Sequence, residues 1–319
     1  MTARADPSHL KLAAFDVGSN TILMLALEYA RQGAPRTLAD LARITRLGRG
    51  VDRSGRLDPE SAARTLATIE EFASRARALG VDRIVGVATA ALRDAADGTE
   101  FIARVRERTG VALEVISGID EARLSYLAVA RGLPIDPAAR LLIVDIGGGS
   151  TEFIRAEPGR ELAAMSLQIG SVRLTERCVR SDPPSDADVA SLRETIDAAL
   201  GSIEWTFRPD RMVGIAGTVT TVCAVALGLE TYDSRIVHGH VLPLGEVRGA
   251  LELFRSRPLA ERKKLPGLIE GRADVIFAGA MILERAMCRF GVEEVIVSDQ
   301  GVRYGLAWRE IERSRATMP

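Results

Sequence analysis

Two short segments carry the residue types that hold phosphate. FDVGSNT places Asp16 ahead of Gly18, Ser19, Asn20 and Thr21, and VDIGGGST places Asp145 ahead of Gly147, Gly148, Gly149, Ser150 and Thr151. In each, a carboxylate ends an apolar run and is followed by residues whose main-chain N–H groups can point inward together, the arrangement that makes a nest for an anion. Glycine serves there because a side chain would keep the main chain away from phosphate oxygens and would disfavour positive φ. Either segment alone reads equally well as a hairpin turn. Asp16 aligns with Asp145 and Gly18 with Gly147, and this duplication favours joint chemistry: two nests and two aspartates suit Mg²⁺-bound phosphate. A dinucleotide fingerprint is disfavoured because Glu152 stands where the third glycine of GxGxxG would fall, with a strand-like run after it. No Gly-Lys pair occurs, so there is no Walker A loop.

The elements around these turns alternate. Leu12 to Val17 and Ile22 to Glu28 read as strands joined by the turn. Asp58-Pro59-Glu60 offers an N-cap, a proline at the first helical position and a first-turn acid, and Leu66, Ile69, Phe72, Ala76 and Leu79 follow at helical spacing up to Gly80. Strand-like Arg83 to Thr89, helical Glu100 to Thr109, strand-like Val111 to Ile116 and helical Ile119 to Leu133 continue the order, and Pro134 to Ala139 reads as a connection. Strand, glycine turn and strand then recur over Leu141 to Ile154. After them come strand-like Glu161 to Leu167, a helix from about Ser185 to Trp205, strand-like Arg211 to Ala216 and helical Val219 to Leu229. Helices over Leu244 to Ser256 and Ala273 to Phe290, strand-like Glu294 to Ser298 and a helix after Gly301 close the pattern. The expected fold is α/β with two duplicated domains, 1–134 and 135–319.

Composition agrees. A chain of 319 residues with 47% hydrophobic content is longer than one core usually grows. Aromatics are only 4%, and an apolar mass of Ala, Val, Leu and Ile suits buried parallel strands flanked by helices. Lys plus Arg number 42 against 43 for Asp plus Glu, so no global field points to nucleic acid or an anionic membrane. Cys178, Cys223 and Cys288 are odd in number and far apart, which fits a reducing compartment. With no signal-like start and no run long enough to span a bilayer, the expectation is a soluble cytoplasmic protein.

Seven successive segments, LAAFDVGSNTILMLALE, ATAALRDAADG, VISGIDEARLSYLAV, LLIVDIGGGSTEF, SLQIGSVRLTE, GIAGTVTTVCAVALGL and VSDQGVRYGL, resemble in order and spacing the motifs of the exopolyphosphatase and guanosine pentaphosphate phosphatase (Ppx/GppA) family. The resemblance runs from residue 12 to residue 306. It implies two ribonuclease H-like domains of the actin, Hsp70 and sugar kinase superfamily with an interlobe cleft. It makes Glu121, before Ala-Arg in SGIDEAR, the general base. On the residues alone, Ser117 and Asp120 also fit a capping box with Glu121 as a first-turn acid. Asp145 and Glu152 correspond to carboxylates near metal and phosphate, and with Asp16 they form the expected set for Mg²⁺, or Mn²⁺. Arg93 of TAALRD matches a family arginine at the active cleft, which implies binding of phosphate oxygens, while on the residues alone it also reads as a surface arginine paired with Asp94 or Asp97. Asp120 stands where many relatives have a second Glu, and Gln300 where the family commonly has Arg.

Other features keep two readings. Gly217-Thr218 opens a helix after an apolar strand and either offers N–H groups to another phosphate or only packs helix on strand. His238-Gly239-His240 lacks a third ligand and reads as a turn with a structural imidazole rather than a metal site. The seven arginines between Arg31 and Arg56 either line a path for polyphosphate or are solvated surface charge. The expected activity is Mg²⁺-assisted attack of water on the terminal phosphoanhydride of inorganic polyphosphate, the alternative being guanosine pentaphosphate (pppGpp). Kinase chemistry and a non-catalytic sensor are the more distant readings. No nucleic acid or membrane partner is expected, and a homodimer is compatible.

Overall fold

The computed structural model describes residues 9–317, which divide into two units, one of residues up to Ser117 together with those from Val302 onward, the other Gly118–Gly301. The division falls at Ser117 and Gly301 rather than at the Pro134 to Ala139 connection, because the helix that begins at Gly118 packs on strands of the second unit.

The first unit opens with β1 (His9–Val17), β2 (Thr21–Ala30) and β3 (Arg36–Ile44), an antiparallel meander, followed by α1 (Val51–Ser54) and α2 (Pro59–Ala78). The N-cap of α2 is Asp58, whose carboxylate accepts from the Ser61 N–H at 2.9 Å, and Gly80, at φ +73°, follows its end. Then come β4 (Arg83–Ala88), α3 (Ala90–Asp94), α4 (Gly98–Thr109) and β5 (Leu113–Val115). The sheet runs β3-β2-β1-β4-β5, with β4 and β5 parallel to β1. Phe15, Phe72 and Phe101 centre its core. β3 occupies part of the arginine-rich segment, and its arginines are paired outward: Arg36 with Glu28, Arg43 with Glu71 while lying 5.4 Å over the Phe72 ring. Arg56 stands 3.6 Å from Asp97. For these three, solvated surface charge is the reading that holds.

The second unit contains α5 (Gly118–Gly132), β6 (Leu141–Ile146), β7 (Thr151–Ala156), β8 (Ala163–Leu167), α6 (Ser171–Cys178), α7 (Asp186–Gly201), β9 (Arg211–Ile215) and α8 (Ala216–Ala226). It continues through α9 (Ser234–Val237), β10 (Val241–Pro243), α10 (Leu244–Ser256), α11 (Leu259–Arg262), a 3₁₀ turn at Glu270–Arg272, α12 (Ile276–Phe290) and β11 (Glu294–Val297). Its sheet runs β8-β7-β6-β9-β11-β10. Apart from the antiparallel edge strand β10, this is the first sheet's order and polarity repeated, so both units have the ribonuclease H-like topology and the duplication read from the two turns extends to whole sheets. α7 stops at Gly201 instead of reaching Trp205, because Ile203 turns into the core and Trp205 and Phe207 leave the helix to lie 5.5 and 6.0 Å from the Arg155 guanidinium. The last helix, α13 (Val302–Thr317), packs on β1 and β2 in the first unit. Among the described residues no helix is long and apolar enough to cross a membrane.

Candidate active site

In the second unit the parallel register of β6 with β9, Asp145 beside Ile215, brings the turn after β6 next to the turn after β9. β11 joins them, since Val297 pairs with Gly214. Three loops therefore meet at the carboxyl end of one sheet, the edge at which parallel α/β sheets bind ligands.

Gly147 donates to the Ser150 carbonyl at 3.0 Å, closing the first of these turns. Its carbonyls are already engaged. Those of Gly147 and Gly148 accept from Ser171 and Val172, both at 2.9 Å, and that of Gly149 accepts Arg173 Nε at 2.7 Å. A trans peptide directs its C=O and N–H to opposite sides. Committing these three carbonyls to the start of α6 and to Arg173 therefore turns the N–H groups of Gly148, Gly149 and Ser150 the other way, as a nest requires. The close approach needs Gly170 too, where a Cβ would come within 2.4 Å of the Gly148 carbonyl oxygen. The Thr151 hydroxyl donates to the Ile169 carbonyl at 2.5 Å and so braces the turn.

Asp145 and Glu152 are direct cross-strand partners and share one face of the sheet. Both are buried, and each accepts from a serine hydroxyl: Asp145 Oδ2 from Ser125 at 2.6 Å, Glu152 Oε1 from Ser166 at 2.7 Å. Burial pushes the Asp145 carboxyl up to about 6, with the Ser125 hydrogen bond working in the opposite direction. Ser125 lies on α5 one turn beyond Glu121, so the two share a helical face. Glu121 is itself buried, on the helical face that also carries Ser125. The start of the same helix is pressed onto Ser166: a Cβ on Gly118 would lie 2.4 Å from its Oγ. Asp120, by contrast, points outward and pairs with Arg123 at 2.9 Å.

Among the described residues no three acidic, histidine or cysteine side chains converge to cage a metal. Mg²⁺ does not require such a cage; it retains waters and binds through one or two carboxylates together with substrate phosphates. The opposed Asp145 and Glu152, one of them with a raised affinity for positive charge, fit that ion and also Mn²⁺.

The turn after β9 is strained. Ala216 adopts φ +69°, a left-handed conformation unusual for a residue with a Cβ, and Gly217 follows at the start of α8. The Arg272 guanidinium lies against Gly217, so that a Cβ there would come within 1.7 Å of it. Burial lowers the Arg272 pKa to about 10, opposed by Tyr232 and Asp299, and it stays protonated at neutral pH. A half-buried cation at the positive end of a helix is an environment for an anion. Thr218 is turned from that edge, its methyl group and hydroxyl packed on Gly279 of α12.

In the first unit the turn repeats the same closure. Gly18 donates to the Thr21 carbonyl at 3.1 Å, the Asn20 carbonyl accepts from Thr45 and Arg46, both at 3.0 Å, and the Ser19 carbonyl accepts from Gly48 at 2.7 Å. Asp16 is buried at the end of β1, but its cross-strand partner is Leu23, where the second unit has Glu152. The acid pair thus exists in one repeat only. Arg93 donates from Nη1 to the Ile116 carbonyl at 3.0 Å and stands 3.8 Å from Asp94. Ser125, Ser166, Arg173 and Arg272 do not stand out in the sequence. Spacing of four from Glu121 is the available signal for Ser125; Arg272 has none, since only the chain's return from α11 brings it to Gly217.

The Ppx/GppA phosphatase family model matches residues 28–314. Exopolyphosphatase 2 of Mycobacterium tuberculosis is 34% identical over 313 residues, covering 93% of this chain and 97% of that protein. Exopolyphosphatase 1 of Mycobacterium leprae is 31% identical, covering 95% and 90%. The crystal structure of the Aquifex aeolicus member of the Ppx/GppA family superposes with a TM-score of 0.81 at 32% identity, over 96% of this chain and 99% of that one. A family model that matches residues 28–314, together with relatives above 30% identity that are covered along nearly all of their length, means that this protein belongs to the Ppx/GppA phosphatase family.

Proposed function

We propose that this chain is a cytoplasmic exopolyphosphatase that hydrolyses the terminal phosphoanhydride of inorganic polyphosphate with water as nucleophile. The observation that carries this reading is the cross-strand pair of Asp145 and Glu152 flanking one glycine turn, each carboxylate held by a serine hydroxyl, Ser125 lying one helical turn beyond the buried Glu121. The exopolyphosphatases to which the chain is similar support the substrate class. The three cysteines, all thiols, suit a reducing compartment.

Glu121 accepts a proton from water as its oxygen bonds to the terminal phosphorus; the bond from that phosphorus to the bridging oxygen breaks, and orthophosphate leaves a chain shorter by one residue. The N–H groups of Gly148, Gly149 and Ser150 receive the charge that builds on the equatorial oxygens. Asp145 and Glu152 would hold Mg²⁺ or Mn²⁺, which when bound would supply neutralisation of phosphate charge. The main-chain N–H groups of Gly217 and Thr218 at the start of α8, with Arg272, hold a further phosphate. In the first unit, Gly18 to Thr21 and Arg93 also bind phosphate in this reading.

The test is phosphate release from long polyphosphate, short polyphosphate and guanosine pentaphosphate in Mg²⁺. Long polyphosphate should be the preferred substrate by kcat/KM. A higher kcat/KM for guanosine pentaphosphate overturns the substrate assignment.

A further inference from the structure

His238 ties three segments of the second unit together. The Asp299 main-chain N–H can only donate, and it lies 3.3 Å from His238 Nδ1. Nδ1 therefore carries the lone pair, the ring proton resides on Nε2, and Nε2 donates to the Gly132 carbonyl at the end of α5, 3.2 Å away. Strand-like bonds on either side fasten the same segment, Gly239 N–H to the Val297 carbonyl at 2.7 Å and Val297 N–H to the His240 carbonyl at 2.8 Å. Ser298 closes the loop locally, donating to the Gln300 carbonyl at 3.0 Å and accepting from its N–H at 3.1 Å. Gln300 in turn packs on Gly132, where a Cβ would lie 2.2 Å from its Oε1.

The loop held in this way carries Asp299, which accepts the hydroxyl proton of Tyr232. Asp299 acts electrostatically on Arg272, whose guanidinium lies against Gly217 at the start of α8. Hydrogen bonds therefore run from the end of the Glu121 helix through the imidazole to Asp299 and Tyr232, and the Asp299 carboxylate acts through its charge on the cation beside Gly217. We propose that His238 is a positioning residue: its Nδ1 fixes the Asp299 loop, which sets Arg272 against the α8 N-terminus and so governs affinity for the phosphate chain rather than the chemical step. The proposal rests on the assignment of polyphosphate as substrate.

Two isosteric variants separate the ring's two bonds. His238→Asn keeps an acceptor near the place of Nδ1 and loses the bond to Gly132, whereas His238→Gln keeps a donor near the place of Nε2 and leaves the Asp299 N–H without its acceptor. In the full chain, KM and kcat are measured with long polyphosphate, and affinity for tripolyphosphate is measured by calorimetry as a readout independent of turnover. His238→Gln should raise KM about tenfold with kcat within about twofold, and weaken tripolyphosphate binding to match. His238→Asn should stay within about threefold of the parent in both. Combined with Arg272→Ala, His238→Gln should add little, because both act on one cation. Equal behaviour of Asn and Gln, full additivity with Arg272→Ala, or a loss of thermal stability with KM unchanged overturns the positioning role. If His238→Gln does not fold, Tyr232→Phe takes its place, and a KM unchanged in that variant counts against the proposal. A parent that neither binds tripolyphosphate nor releases phosphate overturns the substrate assignment, a result distinct from equal Asn and Gln variants of an active parent.

Discussion

Ser125 donates its hydroxyl to Asp145 Oδ2 at 2.6 Å, joining the helix of Glu121 to the strand before the glycine turn. The acceptor is a carboxyl that burial has raised from the ordinary 3.8 up to about 6. Because the folded pKa lies above the unfolded one, the folded state holds the extra proton between those values, and stability is lost as pH rises from about 4 to about 6. A rise of that size corresponds to about 3 kcal/mol. With chelator present, thermal unfolding at pH 4, 5, 6 and 7 should show Asp145→Asn gaining on the parent across that window. Divalent cation should restore the parent at neutral pH, and Asp145→Asn should have lost most activity despite its stability. A parent fully active in excess EDTA would contradict the metal assignment.

Glu121→Gln keeps size and one acceptor but removes the base, so kcat should fall by about 10²- to 10⁴-fold. Tripolyphosphate binding should persist, since the turns and Arg272 are untouched. Asp120→Asn is the matched control; its surface pair with Arg123 predicts a change of only about 0.2 to 1 kcal/mol and a rate per folded molecule close to the parent. A Glu121→Gln rate within threefold of the parent would return this glutamate to a first-turn helix acid.

Gly118→Ala places a Cβ 2.4 Å from both Cβ and Oγ of Ser166, which holds Glu152. The overpacking should cost about 1 to 3 kcal/mol and pull the serine off the carboxylate. Ser166→Gly in the same background should recover the stability but not the activity, measured as thermal midpoint and phosphate release side by side.

Gly217→Ala sets its methyl group on the Arg272 guanidinium, which is the far end of a flexible side chain and can move aside. The fold should survive with a small change in thermal midpoint, and KM for polyphosphate should rise by about tenfold. An unchanged KM would remove Arg272 from the phosphate site.

The local and repeated features are legible in the sequence because they depend on neighbours along the chain. The Asp58 cap and Pro59 start α2 by bonding within a few residues, and the glycine turns announce themselves through main-chain conformations that few residues adopt. The equivalence of Asp16 and Asp145 foretells two sheets of one topology, and family motifs point to Glu121. β3 does not show as a strand in the sequence, because its half-buried Leu38, Ala39, Leu41 and Ile44 do not keep a period of two, and the strand is made by pairing with β2. Whether Asp16 and Asp145 are chemically alike is also out of reach of alignment by motif: register sets Glu152 opposite one and Leu23 opposite the other. The α5 serine on Asp145, the guanidinium on Gly217 and the imidazole between Gly132 and Asp299 join residues 20 to more than 100 positions apart. Such contacts are created by strand order and helix packing, so only the tertiary structure decides which side chains hold the chemistry in place.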